Sequence, residues 1–216
     1  MTQTRSNGLA SQTLAAAPCC SGVAMTDAMS TRQRATLPNP LTSFVGRERD
    51  IAHVSDLLHC DVRLVTLTGP GGVGKTRLAL KIGQEPEAHG ANAVIFVPLA
   101  AVTEPGLLLS TIARSLEIPD AGGQSMLDRL VATLRNRPRL LVLDNFEQLL
   151  PAAPVVTELL TACPTLSVLV TSRTTLGISG EQRVPVRPLA VPAANRAITA
   201  AEAERSDAVQ LFMTRA

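Results

Sequence analysis

Apolar residues recur along this chain with two periods, and their alternation sets out the elements. Leu64-Val65-Thr66-Leu67-Thr68 is a short β-branched and apolar run that reads as a buried strand. Ala93 to Val97, ended by Pro98, reads as a second strand, and Arg139 to Leu143 as a third with Asp144 at its carboxyl end. Leu166 to Thr171 is a fourth. Val184-Pro185-Val186 is a short last strand whose proline suits an edge. Between these runs the spacing is helical. From Glu48 onward it joins Ile51, Val54, Leu57 and Leu58, and after the first strand it joins Leu78 and Ile82. Leu107, Leu108, Ile112 and Leu116 mark another helix, closed by Pro119, and Met126, Leu127, Leu130, Val131 and Leu134 one more. Glu147 to Cys163 reads as a single helix broken near Pro151 and Pro154. Asp207 to Phe212 begins an amphipathic helix. Strands alternating with helices specify a parallel α/β sheet.

The turn after the first strand carries the clearest chemistry. Gly69-Pro70-Gly71-Gly72-Val73-Gly74-Lys75-Thr76 fits G-x-x-x-x-G-K-[ST] at every fixed position, between a strand and a helix. Gly71, Gly72 and Gly74 can take backbone angles closed to other residues, so successive N–H groups can point into one concavity. The loop ends at a helix N-terminus, which favours an anion. Lys75 can set its ammonium between the β- and γ-phosphates of a nucleotide, and Thr76 can offer its hydroxyl to Mg²⁺. Arg77, the next residue, counts with the loop as nucleotide-binding.

A second signature follows in Leu140-Leu141-Val142-Leu143-Asp144. A strand puts Asp144 at its carboxyl end, beside the phosphate loop, where it can hold Mg²⁺ through water. Alone this signal is weak, and beside the glycine loop it is strong. Arg173, just past the fourth strand, stands on the face where phosphates would sit and is a candidate γ-phosphate contact.

Composition narrows the alternatives. Net charge is +2, and residues 1–40 carry all of it through Arg5, Arg32 and Arg34 against Asp27. No basic face is implied for the rest, which argues against direct nucleic acid contact by this segment. No Trp or Tyr is available to stack bases. Cys19, Cys20, Cys60 and Cys163 form no C-x-x-C pair, which suggests a reducing compartment, the cytoplasm. No apolar run reaches membrane-spanning length. The expected division is a disordered tail over 1–40, a nucleotide-binding domain over 41–190, and a linker with the start of a helical domain over 191–216.

Val45-Gly46-Arg47-Glu48, Gly69–Thr76, Leu140–Asp144 and Thr171-Ser172-Arg173 stand in the order and approximate spacing of the STAND class of P-loop NTPases. The chain most resembles the NB-ARC-like ATPase module of large bacterial transcriptional regulators, many ending in a LuxR-type helix-turn-helix. The resemblance covers about Leu37 to the C-terminus. It implies a three-layer P-loop sandwich around a five-stranded parallel sheet of order 5-1-4-3-2, with the Arg173 strand between those of Gly69 and Asp144. It implies that Phe44, Val45 and Gly46 back the adenine with Arg47 near it. It also implies a switch that ADP holds closed and ATP opens, with self-association through the ATPase module.

Two departures stand out. The family often carries a second acid after the fourth apolar residue, to polarise water, and here that position is Asn145. Glu147 is the nearby carboxylate candidate for that role. Hydrolysis is expected to be slow or absent. The helical domain is expected to follow Pro188-Leu189, with its Gly-x-Pro contact beyond Ala216, so the chain reads as a fragment or truncated frame of such a regulator, its DNA-binding part missing. Three other readings stand beside this one. Ala121-Gly122-Gly123-Gln124 resembles a transporter ATPase signature, but Asn145 replaces the Glu such enzymes need. A small-molecule P-loop kinase needs a lid with several arginines, and only Arg173, Arg183 and Arg187 follow Thr171. A nucleotide-binding module without hydrolysis is the third.

Overall fold

A computed structural model describes residues 37–38, 42–85, 93–119, 122–191 and 206–215. The tail expected over 1–40, apart from 37–38, and the linker over 192–205 lie outside the described residues, as does Ala121 of the glycine-rich turn. In chain order the elements are α1 (Glu48–His59), β1 (Leu64–Thr68), α2 (Lys75–Gln84), β2 (Ala93–Pro98), α3 (Leu108–Ser115), α4 (Met126–Leu134), β3 (Arg139–Asp144), α5 (Ala153–Ala162), β4 (Leu166–Ser172), β5 (Glu181–Pro185) and α6 (Asp207–Arg215).

The five strands form one parallel sheet in the order β2-β3-β4-β1-β5, which read from the other edge is 5-1-4-3-2. The resemblance implied this order. Inner strands are buried on both faces, so β1, β3 and β4 carry near-continuous apolar runs. Successive side chains then go to opposite layers. Leu141, Leu143, Val168 and Val170 join Phe146 and helices α3, α4 and α5 on one side. Leu140, Val142, Val65, Leu67 and Leu169 join α1 and α2 on the other.

Two elements differ from the sequence reading. The stretch from Glu147 to Cys163 is two 3-10 turns, Phe146–Gln148 and Leu150–Ala152, before α5 begins at Ala153. Pro151 and Pro154 each fall in the first turn of a helical segment, where the missing N–H costs nothing. The breaks fall near the two prolines, as read, but the pieces before Ala153 are 3-10 turns and not α-helix. The last strand begins earlier than Val184, at Glu181, and ends at Pro185. Among the described strands it pairs only with β1, and an edge strand can carry exposed Gln182 and Arg183, which hide its start from an apolar pattern.

This topology gathers the chemistry at one rim. The carboxyl ends of β1, β3, β4 and β5 lead to Gly69, Asn145, Arg173 and Val186, and in open parallel sheets ligands bind beyond those ends.

Candidate functional site

The phosphate loop owes its shape to its glycines. Gly74 is the N-cap of α2 with φ 97°, a left-handed conformation that disfavours a side chain. No side chain caps this helix, so its first N–H groups face the loop without an acceptor from the cap residue. Gly69 is close-packed: a Cβ there would stand 2.6 Å from the Val186 carbonyl oxygen.

Lys75 is buried, and its Nζ donates to the Gly69 and Pro70 carbonyls at 2.9 Å each. The ammonium thus lies along the loop it belongs to. Behind it, Asp144 Oδ1 accepts from Thr76 Oγ1 at 2.7 Å and from Thr171 Oγ1 at 2.6 Å. Thr171 Oγ1 in turn accepts from the backbone N–H of Asn145 at 3.0 Å. Thr76 and Asp144 are hard oxygen donors within one hydrogen bond of each other, which suits Mg²⁺, a cation held by few protein ligands and by phosphate oxygens. No group of three His, Cys, Asp or Glu residues that could hold a metal occurs among the described residues. Thr76 and Asp144 are the residues that would hold such a cation together with a ligand.

Arg173 and Glu147 come together at the same rim, with Arg173 Nε donating to Glu147 Oε1 at 3.0 Å. Asn145 takes a left-handed conformation, φ 64°, which Asn tolerates better than most residues. This turns the chain sharply after β3 and starts the 3-10 segment bearing Glu147.

Beside the loop opens a cavity of about 490 Å³. Phe44, Val45 and Arg47 form one wall, and Pro70 to Gly74 with Arg77 form the floor. Pro188 and Leu189, with Ala208, Leu211 and Arg215 of α6, close it. Among the described residues no carboxylate lines it. Gly46 stands behind the wall, at φ 70°, with the Asp207 carboxylate packed on its Cα. Arg47 is nearly buried and makes three hydrogen bonds: Nη2 donates to the Val73 and Arg187 carbonyls, and Nη1 to Asp50. It ties α1, the phosphate loop and the segment after β5 into one frame. Arg77 Nη2 donates to the carbonyls of Thr42 and Ser43, while its Nε is buried without a partner. Burial, and then the charge of Arg215, lowers the Arg77 pKa, though an arginine stays charged at any physiological pH.

The residues singled out in the sequence thus fall into two adjoining groups. Lys75, Thr76, Asp144, Arg173 and Glu147 stand at the strand ends. Val45, Arg47, Pro70 to Gly74 and Arg77 line the cavity. Sequence reasoning missed the role of Thr171, and the lining by Pro188, Leu189, Ala208, Leu211 and Arg215. The amphipathic pattern from Asp207 announced that helix but not the cavity it covers.

The AAA domain family matches residues 61–179. An uncharacterized protein of Mycobacterium tuberculosis is 39% identical over 177 residues, covering 82% of this chain and 42% of that protein. A second protein of that organism, provisionally named an HTH-type transcriptional regulator, is 45% identical over 120 residues, 55% of this chain and 13% of its own length. The chain therefore spans less than half of either relative. Among solved structures, Cdc6p from Pyrobaculum aerophilum superposes with a TM-score of 0.51 at 21% identity, over 71% of this chain and 48% of that one, a likeness of fold alone. Among the described residues no helix is long and apolar enough to cross a membrane.

Proposed function

This chain belongs to the AAA domain family, and from that premise we propose that it is the ATP- and ADP-binding switch module of a signal-transduction ATPase of the kind found in transcriptional regulators. The carrying observation is the link between loop and acid: Thr76, the last residue of the glycine motif, donates to Asp144 at the end of β3. That link brings two hard oxygen donors together near Lys75 and the N-terminus of α2, which supports reading Thr76 and Asp144 as magnesium ligands. Bound there with a nucleotide, Mg²⁺ would neutralise charge on the phosphate oxygens. The base would take the apolar cavity between Phe44 and Val45 on one side and Leu189 and Leu211 on the other. Arg47, held by three acceptors, keeps that wall in register with the phosphate loop.

Hydrolysis is slow or absent in this reading, because Asn145 stands after Asp144 and an amide cannot accept a proton. That observation also favours a second reading, a nucleotide-binding module with no turnover. The chain acts in the cytoplasm, makes no direct contact with nucleic acid through this segment, and self-associates in a nucleotide-dependent way. The relative provisionally named as an HTH-type regulator supports the link to transcription.

The test is titration of the chain with fluorescent ATP and ADP analogues, with and without Mg²⁺, followed by a phosphate-release assay. Saturable, Mg²⁺-assisted binding is expected, with little or no turnover. Light scattering should differ between the two nucleotides. A chain that binds neither nucleotide would overturn the proposal, and measurable release would separate the switch from the inert module.

A further inference from the structure

Glu147 and Arg173 meet across the carboxyl ends of β3 and β4, 26 residues apart in sequence, and their geometry carries more than an ion pair. The guanidinium is planar and its five donors point in fixed directions, so a bond at Nε sets the orientation of the whole group. Here Nε donates to Glu147 Oε1 at 3.0 Å. The other edge faces the phosphate loop: Nη2 lies 3.7 Å from where a Cβ would stand on Gly71. Among the described residues neither Nη1 nor Nη2 makes a hydrogen bond. The guanidinium therefore spans the gap between the carboxylate and the loop, with its outer edge open.

Exposure separates the roles of the two side chains. That of Arg173 is 67% exposed and that of Glu147 only 20%. An exposed pair of this kind adds little to stability. What it does is restrict an otherwise free, rotamer-rich side chain before any ligand arrives. The Glu147 carboxylate is set into the protein, and its Oε2 is buried with no partner. It is the fixed end of the pair, and Arg173 is the end that would otherwise wander.

We infer that Glu147 is a positioning residue for Arg173, holding Nε so that the Nη edge is presented to the terminal phosphate of a bound nucleoside triphosphate. The inference rests on the nucleotide reading above and replaces the water-polarising role that the sequence suggested for Glu147. Oε1 of Glu147 is engaged by Arg173 Nε and Oε2 is buried, so the carboxylate is turned to the guanidinium and the protein interior. The pair then serves discrimination. A diphosphate offers nothing to the open edge, whereas a triphosphate offers two oxygens to a pre-oriented fork.

The experiment compares dissociation constants for Mg-ADP and for a non-hydrolysable Mg-ATP analogue across variants of the full chain. Arg173→Ala is expected to weaken the triphosphate about tenfold more than the diphosphate. Glu147→Ala should lose most of the same preference. Glu147→Gln, whose amide oxygen still accepts from Nε, should keep it, and its melting temperature provides the folded reference. The double variant should show no less preference than Arg173→Ala alone. If Glu147→Ala keeps the wild-type ratio, or Glu147→Gln loses as much as Glu147→Ala, the positioning role is overturned and the nucleotide site stands. A wild-type chain that binds neither nucleotide overturns both.

Discussion

Thr76 Oγ1 donates to Asp144 Oδ1 at 2.7 Å, across 68 residues of sequence. One residue closes the glycine loop and the other ends a strand two places away in the sheet. β4 lies between them and contributes Thr171 to the same carboxylate oxygen. The carboxylate is thus held from two sides, with little freedom left to lose on binding a cation.

That arrangement predicts unequal costs for two similar substitutions. Thr171→Val removes a buried hydroxyl that accepts from Asn145 N–H and donates to Asp144, and should destabilise the fold by about 1–3 kcal/mol. It should also blunt the Mg²⁺ dependence of nucleotide binding. Thr66→Val, on neighbouring β1, removes a buried hydroxyl that has no partner and should be neutral or stabilising. Urea unfolding of both variants decides the matter, and equal losses would count against the network.

Lys75→Ala should weaken nucleotide binding by about 2–3 kcal/mol, roughly 30- to 150-fold in Kd, by removing a charge-assisted phosphate contact. In this structure Nζ donates to the Gly69 and Pro70 carbonyls, which leaves its third N–H for the ligand. Titration with a fluorescent nucleotide reads the loss. Unchanged affinity would remove the loop from the site.

Gly46→Ala meets two obstacles. The backbone sits at φ 70°, and the new Cβ would stand 2.6 Å from the Asp207 carboxylate. A non-glycine residue in strained backbone costs about 1–3 kcal/mol, which a thermal melt should register as a lowered Tm. Adding Asp207→Ala should recover only part of the loss, since it clears the clash and leaves the backbone strain. Full recovery would show that crowding alone decides the position.

Phe146→Ala should cost about 3–5 kcal/mol in chemical denaturation. The ring is wholly buried in the layer that holds α3, α4 and α5. It also roots the 3-10 turn that carries Glu147, so the ATP-over-ADP preference should fall together with stability. A loss under 1 kcal/mol would mean that the cavity collapses around the smaller side chain.

Local patterning was enough to read the layers of this protein. Strands β1, β3 and β4 are buried on both faces, so their apolar runs had to be near-continuous, and Leu64–Thr68 and Arg139–Asp144 were legible to the residue. The phosphate loop was legible for a related reason. Its conformation is set by residue type at fixed spacing, and glycine at Gly74 answers a backbone angle that needs no distant partner. Where the pattern was polar or interrupted, the reading slipped. β5 begins among Glu181, Gln182 and Arg183 because an edge strand need not be apolar. The stretch after Asp144 restarts at Pro151 and Pro154 because a proline in a first turn is compatible with a fresh helix as well as with a kink.

The working contacts of the site were decided by tertiary structure alone. Nothing in the sequence says that Thr171 shares the Asp144 carboxylate, that Glu147 takes Arg173 Nε, or that Arg47 reaches a carbonyl 140 residues away. Nor does the helical pattern from Asp207 say that Leu211 and Arg215 close the cavity beside the glycine loop. Periodicity reports whether a side chain is buried. The resemblance implied the order that sets β4 between β1 and β3, but which atom each side chain meets depends on how the loops beyond those strand ends pack at their common rim.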